Sequence, residues 1–298
     1  MDAGQGPEGW AIKLTKMLDF VYGDGPERYP VKVDQLALEY SARAYPDAPI
    51  KKVLADDLDG FEGALVSAQK SGAWGILYDK RQRPERARFT IAHEFGHYLL
   101  HRHMSREGFR CGEEQVSRRE GVGIEKEADT FAAYLLMPFH DFRARIPPNS
   151  KPTLEELGAC AQCYGVSLTA AILRWLEYTE RRSLFVVSRE GFALWAKASD
   201  SAFKSGRFIR TRNTTYELPP SARCVLGPLN TEARSGISHP AGVWFDEPVE
   251  EISIASEELD MVLTLLHLGP PPEKRWERRE DGEGVESGLT SSRRRPFR

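Results

Sequence analysis

RPERARFTIAHEFGHYLLHRH, residues 83 to 103, holds four of the chain's seven histidines, and the organisation of the rest follows outward from it. Pro84 suits the first turn of a helix, where its missing N–H costs nothing, and nothing interrupts the pattern from there to about His103. On such a helix His93-Glu94-Phe95-Gly96-His97 is an H-E-x-x-H match. Residues four apart share a face one turn apart, so both imidazoles can reach one ion while Glu94 stands beside them to hold a water. A cation there lowers the pKa of that water toward ~7, and the glutamate accepts its proton as a carbonyl is attacked. Three fixed positions in five also arise by chance on surface helices, so the reading needs a third ligand.

A catalytic zinc site takes three protein ligands and keeps one position open. The second stretch of strong helix formers, GIEKEADTFAAYLLMP at 123 to 138, stops near Pro138 and carries candidates. Glu125 and Asp129 are four apart and share a face, whereas Glu127 is rotated from Glu125 by about 200°. Glu125 is therefore the candidate third ligand, and Asp129 the acceptor for the N–H of a metal-bound imidazole, fixing its tautomer. His103, ten residues after His93, is the rival. A ligand at that distance needs the chain to turn on a glycine seven residues after the first histidine, where Leu100 stands. In an unbent helix ten residues rise about 15 Å, which carries His103 past the ion. His101 shares the face of His93 two turns on, and is expected to cap the helix end, to touch a ligand from behind, or to face solvent. Tyr98, Tyr134 and Arg88 are candidate donors to an oxyanion, with nothing in the sequence to choose among them.

Around these two helices the pattern is mixed. AIKLTKMLDFVY (11 to 22) has helical spacing, and YPVKVDQLALEYSARAYP reads as a short extended lead followed by a helix. Two β-rich runs, Ala64 to Ala68 and Trp74 to Tyr78, flank a Gln-Lys-Ser-Gly turn and make a hairpin. Such a hairpin can offer an open edge to an extended substrate, and the strand at Trp74 to Tyr78 is the expected edge. Residues 104 to 122 read as an exposed loop and DFRARIPPNSKP as a break. From Thr153, TLEE matches a capping box, and two helices follow, joined at Gly165 and capped again by Ser167. After residue 182 come short β-rich runs, SLFVVS, GFALWAKA, RFIR, GVWFD and EISIA, and then DMVLTLLHL, a strand or a buried helix. The end, from 269, is dominated by charge, Pro, Gly and Ser and is expected to be disordered.

With 298 residues, 41% hydrophobic and 29% charged, the chain can hold two modest cores. No run approaches the ~20 apolar residues of a membrane span, and MDAGQGPEGW has neither a basic nor an apolar leader region, so the expected compartment is the cytoplasm and no membrane partner is expected. A formal charge of -3 excludes a global pull toward nucleic acid. Four cysteines without framework spacing are expected to stay reduced; Cys160 and Cys163 form a C-x-x-C inside a helical pattern and read as small buried residues. The helices at 153 to 180 have the length and YGVS turn of a helix-turn-helix, which makes DNA binding a second function class. Against it, LTAAILRWLEYT offers one arginine and few polar side chains for base edges or phosphate.

RPERARFTIAHEFGHYLLH followed by EKEADTFAAYLLMP resembles the ImmA/IrrE family of bacterial metallo-endopeptidases. The clear likeness runs from Trp74 to Pro138 and extends more weakly through 153 to 180 and beyond. It implies an α+β fold: a zincin-like metallopeptidase domain with hairpin and HExxH helix over 1–150, a helix-turn-helix-like segment over 151–182, and a smaller sheet-containing C-terminal domain over 183–268, GAF-like in some members, before the tail at 269–298. It also implies Zn²⁺ on His93, His97 and Glu125, with Glu94 as general base; the Glu-to-Asp spacing is similar to that of thermolysin-type gluzincins, and Mn²⁺ also suits such a donor set. The implied substrate is an HTH-type (XRE) transcriptional repressor, cut to derepress stress-response or mobile-element genes. The alternative is a regulator that binds DNA or protein through residues 153–268 and keeps a vestigial or structural metal site. The oligomeric state stays open.

Overall fold

From Thr90 to His101 every residue of α3 (Pro84–His101) except Leu100 is buried, and a helix buried all round must be packed on all sides. The computed structural model describes residues 5–68, 70–105, 107–111, 119–227, 229, 231–256 and 260–271. Beside α3 lie α1 (Pro7–Tyr22) and α2 (Val33–Ala44), a sheet, and α4 (Arg119–Leu136). The sheet has four strands in the order β1-β3-β2-β4: β1 (Ile50–Asp56), β2 (Gly63–Ala68), β3 (Ala73–Asp79) and β4 (Gly108–Cys111). β1 runs parallel to β3, and the other pairs are antiparallel.

The expected hairpin is present as β2 and β3, with Leu65 opposite Ile76 in the core. Its second strand is not an edge, however, because β1 and β2 flank β3 on either side. β1 is hard to see in the sequence because IKKVLAD buries only Ile50 and so lacks apolar alternation. The expected loop at 104 to 122 is corrected in two places: residues 108–111 form the outer strand β4, and α4 already begins at Arg119. Four residues opened by a glycine are too short to register as a strand. Residues 112–118 lie outside the described part, as does the tail from 272.

α4 approaches α3 closely because small residues meet at the crossing. A Cβ on Gly96 would stand 3.0 Å from a ring carbon of Phe131 and 3.2 Å from the Cα of Ala128. Gly96, a position the H-E-x-x-H pattern leaves free, thus lets the helix bearing Glu125 lie against the helix bearing the histidines. The break after Pro138 begins with an unforeseen helix, α5 (Phe139–Arg145). α6 (Leu154–Tyr164) has the expected capping box, Thr153 Oγ1 accepting from the Glu156 N–H at 3.2 Å and Glu156 Oε2 accepting from the Thr153 N–H at 2.7 Å. α7 (Leu168–Leu176) is capped by Ser167 and follows at a bend of 108°. No residue of α7 is exposed, and its one arginine, Arg174, is buried with its guanidinium 3.5 Å from the Phe139 ring centre and Nε donating to the Met137 carbonyl.

The C-terminal strands form a second, antiparallel sheet in the order β7-β6-β5-β10-β9-β8: β5 (Ser183–Arg189), β6 (Phe192–Ala198), β7 (Tyr216–Glu217), β8 (Ile237–His239), β9 (Val249–Ser256) and β10 (Met261–Leu268). The short helices α8 (Asp200–Lys204), α9 (Arg223–Leu226) and α10 (Thr231–Ser235) fill its connections. RFIR and GVWFD, read as strands, are irregular; Ile209 and Trp244 supply their burial to the sheet's outer core instead of pairing. SLFVV is apolar on both faces for a reason: Phe185 and Val187 share a core with Trp175 and α3, while Leu184 and Val186 face that outer core. DMVLTLLHL is a strand, central in the sheet. Its His267, buried and held near 4 chiefly by burial, donates from Nε2 to the Pro152 carbonyl at 3.2 Å and accepts at Nδ1 from Ser183 Oγ at 2.9 Å, tying the sheet to the start of α6. Among the described residues no single helix is long and apolar enough to cross a membrane.

Candidate metal centre

α3 and α4 bring His93, His97, Glu125 and Asp129 together. The two Nε2 atoms of His93 and His97 stand 3.0 Å apart, a few tenths of an ångström inside the roughly 3.4 Å edge of two ligands each ~2.1 Å from a tetrahedral ion. Glu125 faces both, Oε2 at 3.1 Å from His93 Nε2 and Oε1 at 3.4 Å from His97 Nε2. Asp129 Oδ1 lies 2.9 Å from His93 Nδ1. A carboxylate can only accept, so His93 Nδ1 carries a proton and its Nε2 is the atom left to face Glu125.

His97 reaches the same state by a longer route. His101 is buried, its Nε2 is 2.9 Å from Glu127 Oε2, and its Nδ1 is 3.0 Å from His97 Nδ1. The Glu127 carboxylate accepts from His101 Nε2–H, which leaves His101 Nδ1 to accept from His97 Nδ1–H and frees His97 Nε2 toward the cluster. Of the three fates expected for His101, the structure shows contact from behind. Glu127, turned away from Glu125, is turned toward the next turn of α3. We predict that His101→Leu, which removes the acceptor, weakens metal affinity by about 10- to 100-fold, as loss of an outer partner of a ligand does; equilibrium dialysis measures it, and unchanged affinity would remove the relay from the site. His103 is exposed and apart.

Without a cation the cluster balances its charge with protons. Burial pulls His93 down, yet hydrogen bonds to Asp129 and Glu125 outweigh it and hold the ring up to about 9. His97 is pulled down, chiefly by burial. Burial pushes Glu125 up, but the two imidazoles outweigh it and bring the carboxyl to about 2. Glu94 behaves differently: it is fully buried, and burial pushes it up to about 7, against the attraction of His93. The Cys111 thiol and the Leu65 backbone make only weak contacts with it, and neither oxygen has a well-formed hydrogen bond among the described residues. A buried, poorly paired carboxylate beside two imidazoles and a second carboxylate is what a site built to hold a cation and a water contains, so the donor set fits a divalent ion.

A cleft of about 250 Å³ opens beside the cluster, lined by His93, Glu94, Glu125 and Asp129 from the helices and by Gly63 and Cys111 from the sheet. A Cβ on Gly63 would stand 2.7 Å from Glu94 Oε1, so only glycine lets β2 come this close to the carboxylate. Two further residues come from β4, where the sequence suggested a loop. Phe109 and Cys111, two apart, share a strand face: Phe109 stacks on His97 at 5.0 Å with an interplanar angle of 11°, and Cys111 Sγ lies 3.9 Å from Glu125 Oε1. One ligand atom each from His93, His97, Cys111 and Glu125 lies within 4.8 Å of all the others. Among the described residues Cys160 and Cys163 join no such group.

The three candidate oxyanion donors are placed elsewhere. Tyr98 is fully buried and its hydroxyl donates to the Ala48 carbonyl at 2.7 Å. Tyr134 lies under the Arg174 guanidinium, 4.0 Å from its ring centre. Arg88 donates to the Val31 carbonyl at 2.9 Å. The arginine that does line the cleft is Arg86, paired with Glu62. Helical rotation explains the exchange: Arg88 is about 140° around the helix from His93, whereas Arg86, seven residues before it, is almost in line.

Residues 50–176 match the Peptidase_M78 family, described as the IrrE N-terminal-like domain. The match begins with β1, ends with α7 and contains the whole cluster, and the resemblance to ImmA/IrrE peptidases holds over it. No curated protein matches the chain in sequence. Among solved structures, a Mycobacterium tuberculosis transcriptional regulator is similar with a TM-score of 0.47 and 12% identity, over 86% of this chain and 76% of that one.

Proposed function

We propose, from the IrrE N-terminal-like peptidase domain at residues 50–176, that the chain is a zinc-dependent endopeptidase, with His93, His97 and Glu125 as its metal ligands and Glu94 as its general base. The observation that carries this is Glu94 itself: a buried carboxylate without a well-formed hydrogen bond among the described residues, next to a converging pair of imidazoles, at the wall of an open cleft. Bound zinc would lower the pKa of a coordinated water toward ~7 and polarise a carbonyl. Glu94 then holds that water, takes its proton at a carboxylate oxygen as the carbonyl carbon is attacked, and returns a proton to the leaving amine nitrogen. Asp129 and the His101–Glu127 pair fix the tautomers of the two imidazoles throughout. Manganese suits the same donors less selectively.

An extended peptide would enter along the outer edge of β4, which borders the cleft and among the described residues is the last strand in the sheet order. Arg86, the cationic side chain at the cleft wall, is then the candidate to meet the developing oxyanion. The substrate we favour is an HTH-type transcriptional repressor encoded nearby, whose cleavage would release stress-response or mobile-element genes. The DNA-binding alternative has little support from α7, whose residues are all buried or half-buried and whose arginine is buried. Incubation of the zinc-loaded chain with the neighbouring repressor is expected to give discrete fragments, none after chelation and the same fragments after zinc is restored. Cleavage indifferent to chelation would reject the reading.

A further inference from the structure

Cys111 reaches the cluster from β4, an element independent of the two helices that carry the H-E-x-x-H and Glu125 positions. We propose that the Cys111 thiolate is a fourth protein ligand of the metal, which closes the site into a latent state and must leave before a water can enter. This rests on the metal site proposed above and adds to it a resting form.

The geometry needs little change to do this. Two donors at ~2.3 and ~2.1 Å from a tetrahedral ion stand roughly 3.6 Å apart, and Sγ is 3.9 Å from Glu125 Oε1. The thiol joins both imidazoles in the group whose donor atoms lie within 4.8 Å of one another. It is buried at 8% exposure and sits in the cleft wall, on the strand face that Phe109 anchors by stacking on His97. Its neighbours are two imidazoles and two carboxylates; burial first, then the carboxylates, push the thiol up, so it keeps its proton until a metal ion displaces it. Glu94, fully buried and without a well-formed hydrogen bond among the described residues, lines the same cleft as Cys111: the water that Glu94 needs and the sulfur of Cys111 would compete for the one open position.

On coordination the S–H bond breaks, its electron pair stays on sulfur and is donated to the metal, and the proton leaves to solvent through the cleft; no oxidation state changes. Thiolate is a stronger zinc ligand than water, and a site with four protein ligands has no open position for catalysis. Conversion to the active form is therefore an exchange of the Cys111 sulfur for water at the metal.

Cobalt tests the assignment without using activity. One equivalent of Co²⁺ added to the metal-free full chain is expected to give visible ligand-field bands of a tetrahedral site together with a near-ultraviolet thiolate-to-cobalt charge-transfer band. Cys111→Ser should keep the visible bands, lose the near-ultraviolet band and bind cobalt at least about tenfold more weakly, while Cys163→Ser should match the unaltered chain. Cys111→Ala should cleave substrate faster than the unaltered chain. A spectrum unchanged by Cys111→Ser, or one without the charge-transfer band in the unaltered chain, overturns the fourth ligand and leaves the three-ligand site standing. Failure of any variant and the unaltered chain to bind cobalt overturns the metal site itself.

Discussion

Glu94→Gln is expected to keep one zinc per chain and to lose roughly 10³-fold in kcat, within the range a positioned general base supplies. Glutamine has the same shape but cannot take a proton. It touches none of the ligand nitrogens, so the metal should stay while the water loses its base. The same substitution should have an opposite effect on stability, and the sign follows from burial. In the metal-free protein the Glu94 carboxyl is pushed from its ordinary 4.5 to about 7, chiefly by burial and against the pull of His93. A group whose folded value is raised helps the fold fully below 4.5, and that help is lost as the pH rises through 7. At pH 8 the metal-free chain therefore buries an ionised carboxylate with little to compensate it, at a cost on the order of 3 kcal/mol. Glutamine has no such cost, so metal-free Glu94→Gln should melt above the metal-free parent at pH 8, with the gap closing toward pH 4.5. Zinc loss together with the activity would mean that Glu94 is a ligand or a structural prop, and equal melting at pH 8 would mean that the carboxylate is not isolated.

A residue so costly to the fold, standing at the centre of α3, belongs to the part of the site that the sequence makes plain. HEFGH and EKEAD are legible because both are i, i+4 patterns, and helical spacing is the most reliable geometry a sequence carries. Helical rotation reaches further still. Tyr98 is one residue, about 100°, past His97, and Arg88 about 140° from His93, so spacing alone sets both away from the histidine face and favours Arg86. Two things are not legible this way. β1 hides because an outer strand that exposes most of its residues has no apolar alternation, and without β1 the hairpin strand β3 looks like an edge. β4 hides because four residues carry almost no pattern, and what makes them matter is a long-range pairing, Leu65 opposite Phe109 and Gly63 opposite Cys111. Phe109 and Cys111 take their positions from another strand, and the His101–Glu127 pair from the way two helices cross; neither kind of relation is written in local spacing.

Glu125→Ala should weaken zinc binding by more than the roughly 100-fold ceiling expected for an outer partner. A catalytic zinc site takes three protein ligands, and Glu125 is the carboxylate that meets both imidazoles, at 3.1 and 3.4 Å; without it the two imidazoles and the proposed Cys111 thiolate remain, with no carboxylate ligand among them. Its reach depends on helix contact at Gly96 and Ala128, not on the H-E-x-x-H helix alone, so its loss cannot be repaired from within α3. Glu127→Ala, two residues on, should weaken zinc only through His101 and His97, by about 10- to 100-fold. His103→Ala should do nothing, because His103 is exposed beyond the end of α3. The order Glu125 ≫ Glu127 > His103, read by competition with a chromogenic chelator at fixed pH, distinguishes a site completed across two helices from one completed within a single helix. Zinc retained in Glu125→Ala but lost in His103→Ala would assign the centre to the second class and refute the cluster described here.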